Sequence, residues 1–247
     1  MIIMAYLYEA FSSIQGEGIY VGKRQVFLRF AGCPLRCSYC DTKYAREIPT
    51  QARIIKAGDE KLVKNPVSPE DILKIVNELK TPDMHSVSLT GGEPLIQADI
   101  EEILKVLKNN GYKTFLETAG FPASNIHNVA KYVDIASVDI KLPSHRAYED
   151  PEELIQEEIV CIKELIKAGA EVYVKLVILP ETTVEEIIST ISDLKSYDME
   201  IVIQPVTVGT SIGVSVEHLL MISEKLGEVF NARVRIIPQV HRLLNIR

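Results

Sequence analysis

Short apolar runs alternate with amphipathic stretches along most of the chain. Apolar runs that indicate strands lie at 24–30, 86–90, 113–118, 133–141, 172–179, 201–206 and 234–238. Amphipathic stretches that predict helices lie at 69–80, 98–110, 151–168, 182–195 and 215–228. Because alternating strands and helices favour parallel pairing with right-handed crossovers, we predict an α/β fold. A doubly wound sheet fits this pattern, and so does a partial or modified (β/α)6-type barrel.

Two segments in the first quarter of the chain, at 1–18 and 43–67, do not follow the alternation of strands and helices. The apolar start at 1–8 has no basic flank and is too short to cross a bilayer, so it predicts a first strand before the polar 11–18. Residues 43–67 are basic and mixed, and we interpret them as an insertion within a single domain spanning 1–247. No stretch indicates a membrane span, and four cysteines without a secretory signal predict a cytoplasmic location.

The net charge and the polar residues at strand ends limit the functions that the chain can have. The net charge of −7 argues against a broad phosphate-binding surface, so direct nucleic-acid binding is not expected. Polar residues follow several predicted strands, at 90–93, 117–118, 139–141 and 204. Active sites of parallel α/β folds lie at the carboxyl ends of strands. Polar residues at the ends of so many strands therefore favour the barrel over the doubly wound sheet, and they predict an active site at the mouth of the barrel.

Three of the four cysteines lie in the loop after the strand at 24–30, with the spacing CxxxCxxC: Cys33, Cys37 and Cys40. A reducing compartment disfavours a disulfide, and a thioredoxin-like pair needs no third thiol. A structural zinc site needs four ligands, but Cys161 lies on the apolar stripe of a predicted helix and is expected in the core. Three local thiolates favour an iron–sulfur cluster with one iron open to another ligand.

The cysteine spacing and the Gly-Gly-Glu-Pro run at 91–94 resemble the radical S-adenosylmethionine (radical SAM) superfamily. The resemblance implies a [4Fe–4S] cluster on the three cysteines and SAM as cofactor. It places the ring of Tyr39 near the adenine and the glycine-rich run near the methionine amino group. Together with the strand-end positions, it predicts these cofactor-binding residues: Tyr39, Asp41, Gly91, Gly92, Glu93, Glu117, Ser137, Asp139 and Gln204. Glu93 either receives an ammonium group or pins its loop.

Residues 11–42 resemble the 7-carboxy-7-deazaguanine synthase family, and 117–120 and 238–244 continue the match. The resemblance implies conversion of 6-carboxy-5,6,7,8-tetrahydropterin to 7-carboxy-7-deazaguanine, with loss of ammonia, through a 5′-deoxyadenosyl radical. The product leads towards the tRNA bases queuosine and archaeosine. The resemblance also implies Mg²⁺ at Thr42, a flavodoxin or ferredoxin as electron donor, and a homodimer.

Side-chain chemistry agrees with a carboxylated pterin. Arg29 can grip a carboxylate in bidentate fashion, and Gln15 and Glu17 suit the donors on the pterin edge. Lys175 lies in an apolar strand and therefore needs an anionic partner, which we expect at the mouth. The predicted substrate-binding residues are Ile14, Gln15, Gly16, Glu17, Arg29, Thr90, Lys175 and His241, and Arg29 and Glu17 join the cysteines as catalytic candidates.

The chain departs from that family at three places. Ala119 stands where an asparagine is usual, and 136–144 read ASVDIKLPS where a Ser-Pro-Lys run is usual. Either 137–139 or 139–141 could be the counterpart of that run, and the chain continues past His241 to Arg247. Glycyl-radical activating enzymes share the cysteine spacing, but they carry Asp-Gly-Pro-Gly where 15–18 read Gln-Gly-Glu-Gly. A zinc-stabilised binding module without catalysis is the alternative from another class.

Overall fold

This computed structural model describes residues 4–209, 211–230 and 233–246, and ten of the twelve strands in those residues form one sheet. The strands are β1 (Leu7–Ile14), β2 (Arg24–Phe30), β3 (Gln51–Lys56), β4 (Asp59–Lys64), β5 (Ser86–Gly91), β6 (Thr114–Thr118), β7 (Ile135–Ile140), β8 (Glu171–Ile178), β9 (Glu200–Pro205), β10 (Thr207–Val208), β11 (Ser211–Ile212) and β12 (Arg233–Ile236). The order is β12-β9-β8-β7-β6-β5-β2-β1-β3-β4, and β10 and β11 pair separately.

Parallel pairing dominates the sheet. From β2 through β5, β6, β7, β8 and β9 to β12, each neighbouring pair is parallel. β1 runs antiparallel to β2 and parallel to β3, and β3 runs antiparallel to β4. Among the described residues the order ends at β4 and β12, so hydrogen bonds do not close the sheet into a complete barrel. The predicted α/β fold with mostly parallel strands is confirmed.

The described helices pack into the main core on the outer face of this sheet, except the last one, at Val240–Leu244, which lies on the cavity side. They are α1 (Pro69–Leu79), α2 (Ile100–Asn109), α3 (Ile126–Val129), α4 (Pro151–Lys167), α5 (Val184–Thr190), α6 (Val216–Phe230) and α7 (Val240–Leu244). α1 begins where the sequence predicts, because the Ser68 hydroxyl accepts a hydrogen bond from the Asp71 amide at 3.1 Å. α5 ends five residues earlier than the predicted 182–195, and the Thr190 hydroxyl bonds back to the Glu186 carbonyl at 2.8 Å. None of the described helices is both long and apolar enough to cross a membrane.

The first strand and the insertion differ from the simplest sequence expectation. β1 begins at Leu7 and continues to Ile14, so the apolar run at 1–8 overlaps only its start. The polar residues Ser12 and Ser13 belong to the strand because their backbone pairs in register with β2. Within 43–67, a 3-10 turn at Lys43–Arg46 precedes a hairpin of β3 and β4, which extends the sheet beside β1.

Successive side chains of each strand point to opposite faces of the sheet, one towards the core under the helices and the other towards the cavity. In β2, Val26 and Leu28 pack into the large core under the helices, whereas Phe27 and Arg29 face the opposite side. The loop after β1 fills the lower end of that inner side, where the ring of Tyr20 packs edge-on against Phe115 with centroids 5.5 Å apart. The inner side is therefore open only above this floor, at the carboxyl ends of the parallel strands.

Candidate active site

A cavity of about 600 Å³ opens at the carboxyl ends of the strands. Every residue that the sequence analysis assigns to the site lines it, from Ile14 in β1 to His241 in α7. Side chains from at least seven strands contribute, because the inward positions of neighbouring strands lie in register. The structure brings the predicted residues together, and their individual roles stay predictions.

The cysteine loop forms one wall of the cavity. Cys33, Cys37 and Cys40 all line it, and they pack with an apolar cluster that includes Leu35. Burial raises the pKa of Cys33 to about 11, so iron binding must displace a proton from this thiol. All four cysteines are free, and Cys161 is fully buried in the main core, as predicted. Three convergent thiols fit a cluster that has one iron without a cysteine ligand.

The Gly-Gly-Glu-Pro loop is locked against the cysteine loop. A Cβ at Gly92 would lie 1.8 Å from the Gly32 carbonyl oxygen, so only glycine permits this approach. The Glu93 carboxylate accepts hydrogen bonds from the Leu95 amide at 3.0 Å and the Ala119 amide at 2.8 Å. The Thr118 hydroxyl donates to it at 2.5 Å. Of the two roles considered for Glu93, these contacts match pinning of the loop, and burial raises its pKa to about 7.

Buried charges of alternating sign cross the cavity. Lys141 pairs with Asp139 at 2.5 Å, Lys175 lies 3.7 Å from Asp139, and Lys175 forms a very short contact with Glu17. The anionic partner expected for Lys175 is thus present. Burial is the largest influence on the pKa of Glu17 and raises it, but the charges of Lys175 and His241 and the hydrogen bond from Lys175 together leave that pKa lowered.

Two buried oxygen atoms in the cavity lining have no hydrogen-bond partner within the part of the chain that the structure describes. They are Oδ1 of Asp139 and Oε1 of Gln204, both predicted to bind cofactor. An unpaired buried acceptor is costly, and a ligand with hydroxyl or ammonium donors would satisfy both. The donor set of SAM, with its ribose hydroxyls and its amino group, therefore fits this cavity.

The C-terminal segment covers part of the opening. The Gln239 side-chain amide donates to Glu17 at 2.8 Å and to Asp41 at 3.2 Å. The Val240 amide donates to the Gly16 carbonyl at 2.8 Å. Ligand atoms of Glu17, Asp41 and His241 lie within 4.8 Å of one another, an arrangement of carboxylates and imidazole that is able to hold a divalent cation. Arg247 lies outside the described residues.

Sequence reasoning missed His145, which supports Tyr39. The Tyr39 hydroxyl lies 3.2 Å from His145 Nδ1, and the Leu142 amide donates to the same nitrogen at 3.0 Å. His145 Nε2 lies 2.9 Å from the Val177 carbonyl, which assigns the proton to Nε2. Burial and the charge of Lys141 lower the pKa of His145 to about 4. No local motif marks this histidine.

Sequence reasoning also missed Glu9, which lies beside Arg29, and Arg53, which lies on the other side of Glu9. Glu9 Oε1 accepts a hydrogen bond from Arg29 Nε at 3.1 Å, and Glu9 Oε2 accepts one from Arg53 Nη2 at 2.7 Å. All three side chains line the cavity. A glutamate in the first strand and an arginine in a basic insertion carry no spacing that would link them.

Deeper in the cavity, a polar layer holds Gln15. Its amide donates to Glu117 Oε1 at 3.0 Å and to Gln25 Oε1 at 3.1 Å. The Ser88 hydroxyl also donates to Glu117, at 2.5 Å. These bonds orient the side-chain oxygen Oε1 of Gln15 towards the backbone amide of Glu17, which donates a hydrogen bond to it at 3.0 Å. The loop of Gln15 and Glu17 is therefore preorganised before any ligand binds.

Comparisons with known proteins agree with this site. A model of the radical SAM superfamily matches residues 28–194. The 7-carboxy-7-deazaguanine synthase of Methanocaldococcus jannaschii is 41% identical over 245 residues, covering 96% of this chain and 98% of that protein. That of Methanothermobacter thermautotrophicus is 38% identical over 266 residues, covering all of both chains. The crystal structure of QueE from Escherichia coli shares the fold, with a TM-score of 0.59 at 21% identity over 94% of this chain and 93% of that one.

Proposed function

Because this chain belongs to the radical SAM superfamily and, within it, to the 7-carboxy-7-deazaguanine synthases, we propose that it converts 6-carboxy-5,6,7,8-tetrahydropterin to 7-carboxy-7-deazaguanine with release of ammonia. It is then a carbon–nitrogen lyase that supplies the pathway to queuosine or archaeosine. One observation carries the proposal. The three-cysteine loop and Gln15, Glu17 and Arg29 line one and the same cavity.

The cofactors are a [4Fe–4S] cluster on Cys33, Cys37 and Cys40, and SAM beside it. When bound, they supply the electron and the 5′-deoxyadenosyl radical that removes a hydrogen atom from the substrate. The protein supplies orientation. Tyr39 offers its ring to the adenine, and the partnerless oxygens of Asp139 and Gln204 accept hydrogen bonds from SAM. The backbone of Gly91 and Gly92 would contact the methionine end of SAM, and Asp41, Glu117 and Ser137, which line the same cavity, would complete the cofactor contacts.

Substrate contacts come from other residues that line the same cavity. Arg29 lies in β2 with its guanidinium in the cavity, where it can grip the pterin carboxylate through two parallel hydrogen bonds. Glu17 accepts hydrogen bonds from the amino-pyrimidinone edge of the pterin, and the side-chain amide of Gln15 both accepts and donates them there. Lys175 keeps Glu17 ionised by direct pairing, so that this carboxylate accepts hydrogen bonds from the substrate. The remaining contacts are Ile14, Gly16, Thr90 and His241.

The same proposal includes a magnesium ion and partners. Thr42 follows the last cluster cysteine, with its hydroxyl 3.8 Å from Cys40 Sγ, and it offers an oxygen ligand to Mg²⁺ near the substrate carboxylate. Flavodoxin or ferredoxin supplies the electron, residues 1–247 act as one cytoplasmic domain, and two copies form a homodimer. Supporting this assignment, the relatives align over nearly their whole length.

The test is an anaerobic assay of the reconstituted enzyme with SAM, Mg²⁺, dithionite and 6-carboxytetrahydropterin, followed by mass spectrometry. We expect 7-carboxy-7-deazaguanine that depends on substrate, SAM and the cluster. Deoxyadenosine without this product would instead support a glycyl-radical activating enzyme. One equivalent of zinc with no iron would support the binding module.

A further inference from the structure

A buried histidine after β7 contacts the three-cysteine loop. His145 ends the 3-10 turn at Pro143–His145 and is fully buried. Its Nδ1 lies 3.2 Å from the hydroxyl of Tyr39 in that loop. Two residues further on, the Ala147 carbonyl accepts a hydrogen bond from the Arg36 amide at 2.7 Å. The segment after β7 therefore holds the cysteine loop at two points.

The imidazole of His145 is fixed in place by the rest of the fold. Nε2 lies 2.9 Å from the Val177 carbonyl in β8, and the Leu142 amide donates to Nδ1 at 3.0 Å. Because a carbonyl oxygen only accepts hydrogen bonds, the proton lies on Nε2, and Nδ1 is the acceptor. The turn is also anchored on α5, where the Glu186 carboxylate accepts hydrogen bonds from the Ser144 amide at 2.7 Å and the Ser144 hydroxyl at 3.0 Å. Nδ1 is therefore an acceptor whose position is set by β8 and α5.

Tyr39 lines the cavity and is held at its hydroxyl end. The rings of Tyr39 and His145 meet edge to face, with centroids 4.7 Å apart and planes at 79°. Nζ of Lys141 lies 5.6 Å from the centroid of the Tyr39 ring. The hydroxyl bond fixes the direction of the tyrosine side chain, and the edge-to-face contact fixes the plane of its ring.

We propose that His145 is a positioning residue for SAM, which acts by holding the Tyr39 ring in the orientation that meets the adenine. The inference rests on the proposed function, in which Tyr39 offers its ring to the adenine. His145 is not one of the described residues that line the cavity, so its effect on the cofactor passes through Tyr39.

Removal of the Nδ1 acceptor has a defined consequence for SAM. The Tyr39 hydroxyl would lose its hydrogen bond, and the ring would take several orientations before SAM binds. Binding would then have to order this side chain, and ordering one side chain lowers affinity about two- to tenfold. Replacement of Tyr39 by phenylalanine would have the same consequence, because it removes the other half of the bond and keeps the ring beside Lys141.

The experiment is a double-mutant cycle on Tyr39→Phe and His145→Gln, with the SAM dissociation constant of the anaerobically reconstituted enzyme measured by calorimetry. The glutamine can still donate to the Val177 carbonyl, as Nε2 does, but it offers no acceptor at the place of Nδ1. We expect each single variant to bind SAM about two- to tenfold more weakly. The double variant should bind no more weakly than the singles, because both changes break the same bond. Effects that multiply in the double variant, or an unchanged affinity in both single variants, would overturn the proposal.

Two further variants separate positioning from a general effect of losing a histidine. His145→Asn offers Oδ1 at the place of Nδ1, so it should retain most of the affinity for SAM, and a loss as large as that in His145→Gln would overturn the role of Nδ1. His218→Gln is the matched control. His218 also bonds to a backbone carbonyl, that of Thr182 at 2.9 Å, but it is not one of the described residues that line the cavity. We expect this control to bind SAM as the wild type does.

Electron paramagnetic resonance of the reduced cluster gives a second readout that a purely structural role would not move. Without SAM, Tyr39→Phe and His145→Gln should keep the iron content and the signal of the wild type, and the change that SAM causes in this signal should need higher SAM concentrations. If His145→Gln fails to assemble the cluster, Tyr39→Phe decides by itself, and an unchanged SAM affinity there would overturn the proposal. Failure of the proposed function would look different, because SAM affinity would respond to the variants as expected while the wild type forms no 7-carboxy-7-deazaguanine.

Discussion

The hydroxyl of Tyr39 lies 3.2 Å from Nδ1 of His145, a fully buried histidine 106 residues further along the chain. The rings meet edge to face with centroids 4.7 Å apart. A neutral imidazole with its proton on Nε2 therefore holds the aromatic residue that immediately precedes Cys40. Since the cofactor stacks close to this loop in the proposed function, the tautomer of His145 bears on cofactor binding.

Acid should destabilise the protein through His145. Burial lowers its pKa to about 4 from 6.5, so the unfolded chain binds more protons than the folded one between these values. The free energy of unfolding should fall as the pH drops from 6.5 to about 4, by up to ~3 kcal/mol from this group. Urea unfolding of the wild type and of His145→Gln across that range measures the contribution. Equal slopes in the two proteins would contradict it.

Lys175 should stabilise the buried charges around it. Lys175→Met leaves Glu17 and Asp139 without one of their cations, and removing one partner of a buried pair costs about 3 kcal/mol. Chemical unfolding at pH 7 measures this loss, and the pKa of Glu17 should rise in the variant. Lys225→Met is the control, because Lys225 pairs with Glu228 on the exposed face of α6 and should contribute little. Similar effects of the two changes would argue against the ion-pair assignment.

Gly16 should be required for docking of the C-terminal helix. A Cβ at this position would lie 2.5 Å from the Cβ of His241, so Gly16→Ala must displace α7. We expect faster hydrogen exchange at 239–246 and weaker substrate binding, with the strands unchanged. Gly227→Ala is the control, since it lies within α6 and a Cβ there meets nothing within 4 Å. That control should stabilise the protein by roughly 0.5–1 kcal/mol.

The cysteines should separate into two classes. Cys33→Ala, Cys37→Ala and Cys40→Ala should each abolish cluster assembly, measured as iron and sulfide content and by the electron paramagnetic resonance of the reduced protein. Cys161→Ala should retain the cluster and lose about 1–2 kcal/mol of unfolding free energy, because its side chain fills a fully buried site. Loss of iron in Cys161→Ala would mean that the core thiol is a ligand.

Local patterns predicted those parts of the site that are built from short segments. The cysteine loop, the Gly-Gly-Glu-Pro turn and the polar strand ends each occupy a few consecutive residues, so their spacing is legible along the chain. Strand alternation also placed Arg29 and Lys175 on the inner face, because successive side chains of a strand point to opposite sides. The short helices α3 and α7 escaped prediction, since five residues or fewer do not establish a helical period.

The sequence by itself determined the parallel α/β fold, the three-cysteine loop and the membership of the family, because each depends on periodicity or on a contiguous motif. Only the tertiary structure decided which charges meet. Glu9 joins Arg53 across 44 residues, Tyr39 joins His145 across 106, and Gln239 joins Asp41 across 198. Sheet register and the course of the C-terminal segment create these pairs, and neither has a local signature, since register is set by how whole strands pair.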